Sequence, residues 1–218
     1  MRITINIRSE NKNVPFNYQP SITGAIHKWL GKNEIHDKTS MYSFSWLKGG
    51  RKNGNSLLFE NETSFEFSAH DNDLIKSIMK GIQSDPRINY GLEVSEIVIQ
   101  AMPSFSKKET FFVSSPVLVK RKVNEKEIHF TYDNVESDRL LTETLKTKLM
   151  RAGLNTDNVQ VGFDRNYSGA KTKLVYYKQI GNKTNICPII IHGTPEQIVF
   201  AWNVGVGNST GIGFGSLK

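Results

Sequence analysis

Histidine side chains are the groups in this chain best suited to proton transfer near neutral pH. There are five of them, at positions 27, 36, 70, 129 and 192. An imidazole pKa of about 6.5 lets one histidine accept a proton while a second one donates a proton. Two histidines would therefore supply both partners of a general acid–base reaction without a metal ion.

His27 differs from the other histidines in where the sequence places it. The segment of residues 21–30 carries apolar residues at helical spacing, namely Ile22, Ala25, Ile26, Trp29 and Leu30. With about 100° per residue, His27 projects roughly 140° from Ile22 and is predicted to point away from the core, together with Gly24 and Lys28. The histidines at positions 70, 129 and 192 have ordinary structural explanations at a helix entry, a strand face and a strand end.

Charge favours an anionic partner. The chain has 28 basic and 21 acidic residues, a net charge of +7 and a sequence pI near 9.4.

No stretch approaches the ~20 apolar residues of a membrane span and no apolar signal core opens the chain, so a cytoplasmic protein without a membrane partner is predicted. Cys187, the one cysteine, cannot form an internal disulfide, and no carboxylate cluster suggests two-metal catalysis, so neither a metal nor a cofactor is expected.

Strand and helix patterns in the first half follow the order β-α-β-β-α-β. Residues 2–8 alternate between polar and apolar, as in a half-buried strand. The predicted elements are this strand, a helix over 21–30, a hairpin of residues 42–46 and 57–59 joined by the basic, glycine-rich residues 48–54, further strand near 65–67, a helix over 71–84 and a strand over 94–101. That order is typical of the ferredoxin-like unit, in which helices cover one face of an antiparallel sheet.

The second half is a less regular β/α unit of similar size. Its predicted elements are a strand around Ile128–Tyr132, a helix over Glu136–Ala152, strands near 159–163, 174–178 and 186–192, and a short helix from Thr194 through Trp202. The predicted fold class is therefore α+β, with two tandem ferredoxin-like (RRM-like) domains whose antiparallel sheets carry helices on one face. We place the domains at residues 1–108 and 109–218.

Residues 205–215 form a glycine-rich segment near the end of the chain. Its glycines are Gly205, Gly207, Gly211, Gly213 and Gly215. The spacing matches neither a dinucleotide-binding fingerprint nor a P-loop. Glycines at this density permit close backbone approach, for example to phosphate oxygens, and the regularly spaced Val206, Ile212 and Phe214 argue against a flexible tail.

This ending resembles the carboxy-terminal signature of the CRISPR-associated endoribonucleases that cut precursor CRISPR RNA within its repeats, members of the repeat-associated mysterious protein superfamily. Three further segments agree with that family, and together the anchors span residues 1–217. They are Ser115-Pro116-Val117-Leu118-Val119, Ile35-His36-Asp37 followed by Tyr42-Ser43-Phe44-Ser45-Trp46, and Gly24-Ala25-Ile26-His27 in the first helix. The resemblance implies two tandem ferredoxin-like domains with RNA bound across them.

The resemblance also implies a reaction and a set of catalytic residues. The reaction is metal-independent cleavage of CRISPR repeat RNA that leaves 2′,3′-cyclic phosphate and 5′-hydroxyl ends. His36 stands at the family's loop histidine, and His27 stands where many members carry a tyrosine, which makes a two-histidine site attractive and leaves Tyr18 or Tyr42 for the tyrosine role. Ser40 stands near the place of the family's lysine, so Lys38 is expected to supply the charge, with Lys48 as an alternative.

RNA binding is expected to use two basic runs and the glycine-rich segment. Lys48, Arg51 and Lys52 lie in the predicted hairpin loop, and Lys120 and Arg121 lie at the opening of the second domain. Solvated turn chemistry explains both runs equally well. The first rival reading is a subunit of a CRISPR effector complex that binds the mature RNA without cutting it, and the second is a ferredoxin-like metabolic enzyme that binds a nucleotide or phosphosugar. Contacts with other effector subunits or a homodimer are further partnerships that the sequence leaves open.

Overall fold

The computed structural model describes residues 1–31 and 39–218. Its first half contains eight strands and two helices within that part of the chain. They are β1 (Arg2–Arg8), β2 (Lys12–Pro15), α1 (Gln19–Leu30), β3 (Tyr42–Phe44), β4 (Arg51–Asn53), β5 (Ser56–Phe59), β6 (Glu62–Ala69), α2 (Asn72–Ser84), β7 (Arg87–Ile88) and β8 (Leu92–Ile99). The main sheet is antiparallel, in the order β3-β6-β1-β8-β7, and β2, β5 and β4 form a separate three-stranded sheet.

Alternation along β1 builds the core of this first unit. Ile3, Ile5 and Ile7 are completely buried on one face, where α1 and α2 pack against the sheet. Helix α1 has a proline in its first turn and ends at Gly31, whose φ of +69° suits a glycine. Helix α2 begins after Asp71, whose side chain accepts a hydrogen bond from a backbone N–H of the first turn.

The second half repeats the β-α-β-β-α-β order with two hairpins inserted. Its elements are β9 (Lys108–Phe111), β10 (Lys120–Val123), β11 (Lys126–His129), α3 (Glu136–Arg151), β12 (Gln160–Phe163), β13 (Lys171–Tyr177), β14 (Ile180–Ile186), β15 (Ile189–His192) and α4 (Pro195–Val204). The central sheet has the order β12-β15-β9, and an antiparallel bridge between Val113 and Leu217 takes the place of a fourth strand. The β10–β11 and β13–β14 hairpins lie outside this sheet.

The predicted fold class is confirmed, because each half has the ferredoxin-like arrangement of strands and helices. Strand β9 begins at Lys108, where the predicted first domain ends, and the exact division between domains stays a prediction. None of the helices within residues 1–31 and 39–218 is long and apolar enough to cross a membrane.

The predicted hairpin around residues 48–54 is wrong in its pairing. Strand β3 pairs with β6 on the main sheet, and β5 pairs instead with β4 and β2. The physical reason is that residues 51–53, taken from the sequence as loop, form an exposed strand of their own before a tight turn at Gly54. Arg51 and Lys52 therefore lie on a strand.

Candidate active site

His27 and Tyr42 meet where the first unit contacts the glycine-rich segment of residues 205–215. His27 is half-buried near the end of α1, and its Nε2 atom lies 3.3 Å from the hydroxyl oxygen of Tyr42. The same hydroxyl donates a hydrogen bond to the carbonyl oxygen of Gly211, also at 3.3 Å. One tyrosine thus connects α1, the edge strand β3 and the glycine-rich segment, which are distant from each other along the chain.

The surroundings of Tyr42 keep its hydroxyl protonated. Its side chain is 1% exposed, and its ring packs against that of Phe67 at a centroid distance of 5.3 Å. Burial, with a smaller contribution from Tyr177, raises the pKa of Tyr42 to about 12. The hydroxyl therefore has one proton to donate at neutral pH.

This single proton determines the direction of both hydrogen bonds. A carbonyl oxygen only accepts, so Tyr42 donates to Gly211, and its own oxygen then accepts from the Nε2–H of His27. An Nε2–H exists in one neutral tautomer and in the imidazolium ion, so Tyr42 orients the ring in both protonation states. An imidazole held in a defined orientation suits a general acid or base.

Close packing accounts for the glycines of the segment. Gly205, Gly207, Gly211, Gly213 and Gly215 are all buried. A Cβ atom on Gly211 would overlap the hydroxyl oxygen of Ser40, and one on Gly213 would lie 2.9 Å from the ring of Phe44. A Cβ on Gly207 would lie 2.5 Å from the carbonyl oxygen of Leu118. The segment therefore runs tightly against β3 and against its own unit, and contact of these glycines with RNA stays a prediction.

A polar cleft of about 490 Å³ adjoins this site at the seam between the two units. Thr39 and Ser40 line it from the first unit, and α3, Arg121 and residues 207–210 line it from the second. The Arg121 guanidinium donates to the carbonyl of Leu140 and to the hydroxyl of Thr144. The cleft thus carries many hydroxyl groups and a cation that is already held in place.

Lys148 lies on the inner side of this cleft and is 2% exposed. Its Nζ donates to the carbonyl oxygens of Val204 and Gly205 and to the hydroxyl of Thr210, all in or next to the glycine-rich segment. Burial lowers the pKa of Lys148 to about 7. The helical periodicity of α3 gives no signal for this role, because the partners of Lys148 come from the other end of the unit.

Of the three predicted catalytic residues, the structure describes only His27. His36 and Lys38 lie outside the described residues. Tyr42 takes the position beside His27, whereas the hydroxyl of Tyr18 accepts a hydrogen bond from the backbone of Leu47 in the core. Lys48, the alternative cation, forms an ion pair with Glu66 at 2.6 Å.

The residues predicted to share the exposed face of α1 do not all point to solvent. Gly24 and Lys28 are exposed, as predicted, but His27 is only half-exposed and turns toward Tyr42. The Lys28 ammonium lies 3.1 Å from Asp85 and donates to the carbonyl of Arg87. Lys28 therefore faces the end of α2 and β7.

The predicted RNA-binding cations are mostly held by acidic partners. Arg51 pairs with Glu60 at 2.6 Å and Lys120 with Glu127 at 2.8 Å, while Lys52 is exposed on β4. Arg121 is the predicted binding residue that lines the cleft. The structure thus brings Arg121 and residues 207–210 together around the cleft, and it links Gly211 to His27 through Tyr42. Arg51 and Lys52 lie on β4, whereas Lys120 and Arg121 lie on β10.

Comparisons with known proteins agree with this architecture. No curated protein matches the chain in sequence. A solved structure of the product of a Cas6-related gene from Pyrococcus furiosus is similar at TM-score 0.87 and 19% identity, covering 100% of this chain and 97% of that chain. A structure described as an RAMP protein binding different RNA substrates has TM-score 0.84 and 19% identity, with coverage of 100% and 98%. A structure described as a Cas6 product complex has TM-score 0.68 and 12% identity, with coverage of 100% and 99%.

At these identities the structural matches show the fold, and the family follows from the sequence itself. The family model described as CRISPR associated protein Cas6, C-terminal, matches residues 100–218, more than half of the chain. That match includes the glycine-rich segment and the Ser115-Pro116 segment on which the resemblance depended. The resemblance is thereby confirmed, and the chain belongs to the family of the CRISPR-associated protein Cas6.

Proposed function

We propose that this chain binds CRISPR repeat RNA and cleaves it in precursor transcripts by a metal-independent reaction. The observation that carries the proposal is the hydrogen-bonded chain from His27 through Tyr42 to Gly211, which holds an imidazole beside the glycine-rich segment. Support also comes from the Cas6 family match and from the net charge of +7.

The proposed chemistry needs one base and one acid. The base removes the proton of a ribose 2′-hydroxyl, whose oxygen forms a new bond to the adjacent phosphorus. The bond from phosphorus to the 5′-oxygen breaks, and the acid protonates that oxygen, which leaves a 2′,3′-cyclic phosphate and a 5′-hydroxyl. His27 takes one of these roles, while Tyr42 holds its ring through Nε2.

The second proton-transfer group in this proposal is His36, and the cation is Lys38. Both lie outside the described residues, so their part rests on the resemblance of Ile35-His36-Asp37 to the family's loop. Positive charge near the phosphate would stabilise the transition state, because charge accumulates on its nonbridging oxygens. The cleft beside Ser40, with Arg121 on its lining, is the proposed path of the RNA next to the cleaved bond.

The deciding experiment is incubation of the purified protein with labelled cognate repeat RNA, followed by mapping of the product ends. We expect a 2′,3′-cyclic phosphate and a 5′-hydroxyl, with the same rate in the presence of excess chelator. A repeat RNA with a 2′-deoxy nucleotide at the mapped position is the matched control and should bind without being cut. Dependence on added magnesium, or full cleavage by His27→Ala/His36→Ala, would contradict the proposal.

A crRNA-binding subunit without nuclease activity is the second candidate. One position favours it, because Ser40 stands near the place of the lysine that the resemblance implies. This candidate predicts tight binding of repeat RNA with no product on the same gel. The two functions are therefore separated by one measurement of binding and cleavage on the same RNA.

A further inference from the structure

Lys148 is a buried cation whose hydrogen-bond partners are all neutral. Its Nζ lies 3.1 Å from the carbonyl oxygen of Val204, 3.3 Å from that of Gly205 and 3.0 Å from the hydroxyl of Thr210. No salt bridge to Lys148 is formed by an acidic residue in the part of the chain that the structure describes. A buried ammonium without a countercharge is costly, so its retention needs a specific explanation.

The geometry around Nζ accommodates both protonation states of Lys148. The charged ammonium donates three hydrogen bonds, one to each partner. The neutral amine donates two, which the carbonyl oxygens accept, and the hydroxyl of Thr210 can then donate to the nitrogen lone pair. All three contacts can therefore persist when Lys148 loses a proton. Because burial lowers its pKa to about 7, both protonation states occur near neutral pH.

These contacts connect Lys148 to the candidate active site. Val204 and Gly205 are the end of α4 and the start of the glycine-rich segment, and Thr210 begins a 3-10 turn over Thr210–Ile212. The next residue, Gly211, presents the carbonyl oxygen that accepts a hydrogen bond from the Tyr42 hydroxyl. A single side chain on α3 thus holds the start of the glycine-rich segment and the residue immediately before Gly211.

We propose that Lys148 is a positioning residue that fixes the glycine-rich segment, so that Gly211 holds Tyr42, and through Tyr42 the ring of His27, in place for RNA cleavage. The inference rests on the proposed function. It adds a role for a residue that touches neither His27 nor the cleaved bond. A displacement of about 1 Å at a reacting group can cost about 10²-fold in rate. Loss of the hydrogen bonds of Lys148 should therefore lower the rate of the cleavage step itself.

The first test compares Lys148→Met with Lys146→Met, a matched removal of one charge from the same helix at a position that faces a different groove. Single-turnover cleavage of repeat RNA by Lys148→Met should fall about 10- to 100-fold, while Kd for the 2′-deoxy repeat RNA changes by less than about threefold. Lys146→Met should cleave like the unchanged protein. Undiminished cleavage by Lys148→Met, or equal losses in binding and cleavage, would overturn the positioning role.

Thr210 provides a second test that leaves the lysine in place. Thr210→Ser keeps the hydroxyl and should retain cleavage, whereas Thr210→Val removes the third partner of Nζ and should slow it. If both residues act through one link, the double variant Lys148→Met/Thr210→Val should be no slower than the slower single variant. If the fold-loss in rate of the double variant equals the product of the two single losses, the two residues act independently, which contradicts the proposal. These Thr210 variants also keep the proposal testable if Lys148→Met does not fold.

Amide hydrogen exchange separates this inference from the proposed function, because it needs no RNA. Exchange of the backbone N–H groups in residues 205–213 should be faster in Lys148→Met than in Lys146→Met. If the unchanged protein binds repeat RNA without cutting it, the proposed nuclease function fails, and faster exchange still supports Lys148 as the residue that fixes the segment. Equal exchange in the two variants would overturn that role whatever the RNA assay shows.

Discussion

The guanidinium of Arg2 lies 3.6 Å from the ring centroid of Trp202 and joins the first strand of the protein to its last helix. The same group donates to the carbonyl oxygen of Leu217 at 2.8 Å and to that of Trp202 at 2.5 Å. Nearby, the hydroxyls of Ser43 and Ser68 both lie within 3.1 Å of the carbonyl oxygen of Asn203. The seam between the two units is thus held by buried polar contacts to backbone carbonyls.

Loss of Arg2 should therefore destabilise the whole protein. Arg2→Met leaves the carbonyls of Leu217 and Trp202 without their donor and buried Glu66 without a nearby guanidinium, so we expect a loss of about 3–5 kcal/mol in the free energy of unfolding. Urea unfolding checks this. The matched control is Arg8→Met on the same strand, an exposed side chain whose replacement should cost less than about 0.5 kcal/mol. Equal losses in both variants would contradict the importance of the seam.

Removal of the Tyr42 hydroxyl should slow cleavage without abolishing RNA binding. Tyr42→Phe keeps the ring volume but leaves the Gly211 carbonyl without its donor and the His27 ring without its Nε2 partner, so we expect about a tenfold or greater loss in single-turnover rate. Tyr18→Phe removes a hydroxyl from another buried tyrosine and is the control. A cleavage rate that is the same in both variants would remove Tyr42 from the site.

The role of close packing in the glycine-rich segment can be tested with two glycines of similar backbone conformation. Gly215 has φ +65° and a Cβ there would overlap the carbonyl oxygen of Val206, whereas Gly49 has φ +80° and open space around it. Gly49→Ala should cost only the backbone strain of about 1–2 kcal/mol. Gly215→Ala should cost at least about 2 kcal/mol more in thermal or urea unfolding, because backbone must move. Similar costs would mean that packing does not explain this glycine.

Burial of Lys148 should make stability depend on pH. Its pKa is about 7 in the folded protein against 10.5 ordinarily, so between these values the unfolded chain binds a proton that the folded chain lacks. Stability should therefore rise with pH from about 7 to 10.5, by at most about 1.4 kcal/mol per pH unit. Below pH 7 both states carry the proton, so Lys148 adds no further pH dependence. Lys148→Met should remove this rise and Lys146→Met should keep it. An unchanged slope in Lys148→Met would contradict the shifted pKa.

The salt dependence of RNA binding can show which exposed cations contact RNA phosphates. If Lys52 contacts a phosphate, Lys52→Ala should reduce the slope of log affinity against log salt concentration by about one. Lys76→Ala on α2, an exposed lysine that pairs with Asp73, is the control and should leave the slope unchanged. A slope that is unaffected by Lys52→Ala would remove β4 from the RNA interface.

Periodicity alone was enough to predict the elements that build the two cores. The alternation in β1 and the helical spacing of α1, α2 and α3 are strong because each buries a full apolar face. Short elements such as β2 and β7, with four and two residues, carry too few buried positions to show a pattern. Their pairing depends on distant strands, as the wrong hairpin around residues 48–54 also illustrates.

The site was only partly predictable for a related reason. Helical geometry singled out His27, and glycine density singled out residues 205–215 as a place of close approach. What the glycines approach, namely Ser40, Phe44 and Leu118, is set by tertiary contacts over long sequence distances. The same holds for Tyr42 and Lys148, whose partners at Gly211 and Thr210 are invisible to any local pattern.

Ser40 leaves no room for a side chain at Gly211, and Tyr42 depends on the carbonyl of that same glycine. Movement of the loop toward β3 would bring Gly211 into steric conflict with Ser40. Movement away from β3 would break the hydrogen bond between Tyr42 and the carbonyl oxygen of Gly211. If RNA contacts this segment as predicted, the loop would act as a fixed template, and an incoming nucleotide would have to adopt the shape that the protein offers. Choice of the bond to be cut would then be made by the folding of the RNA onto a rigid surface and not by closure of the protein around it.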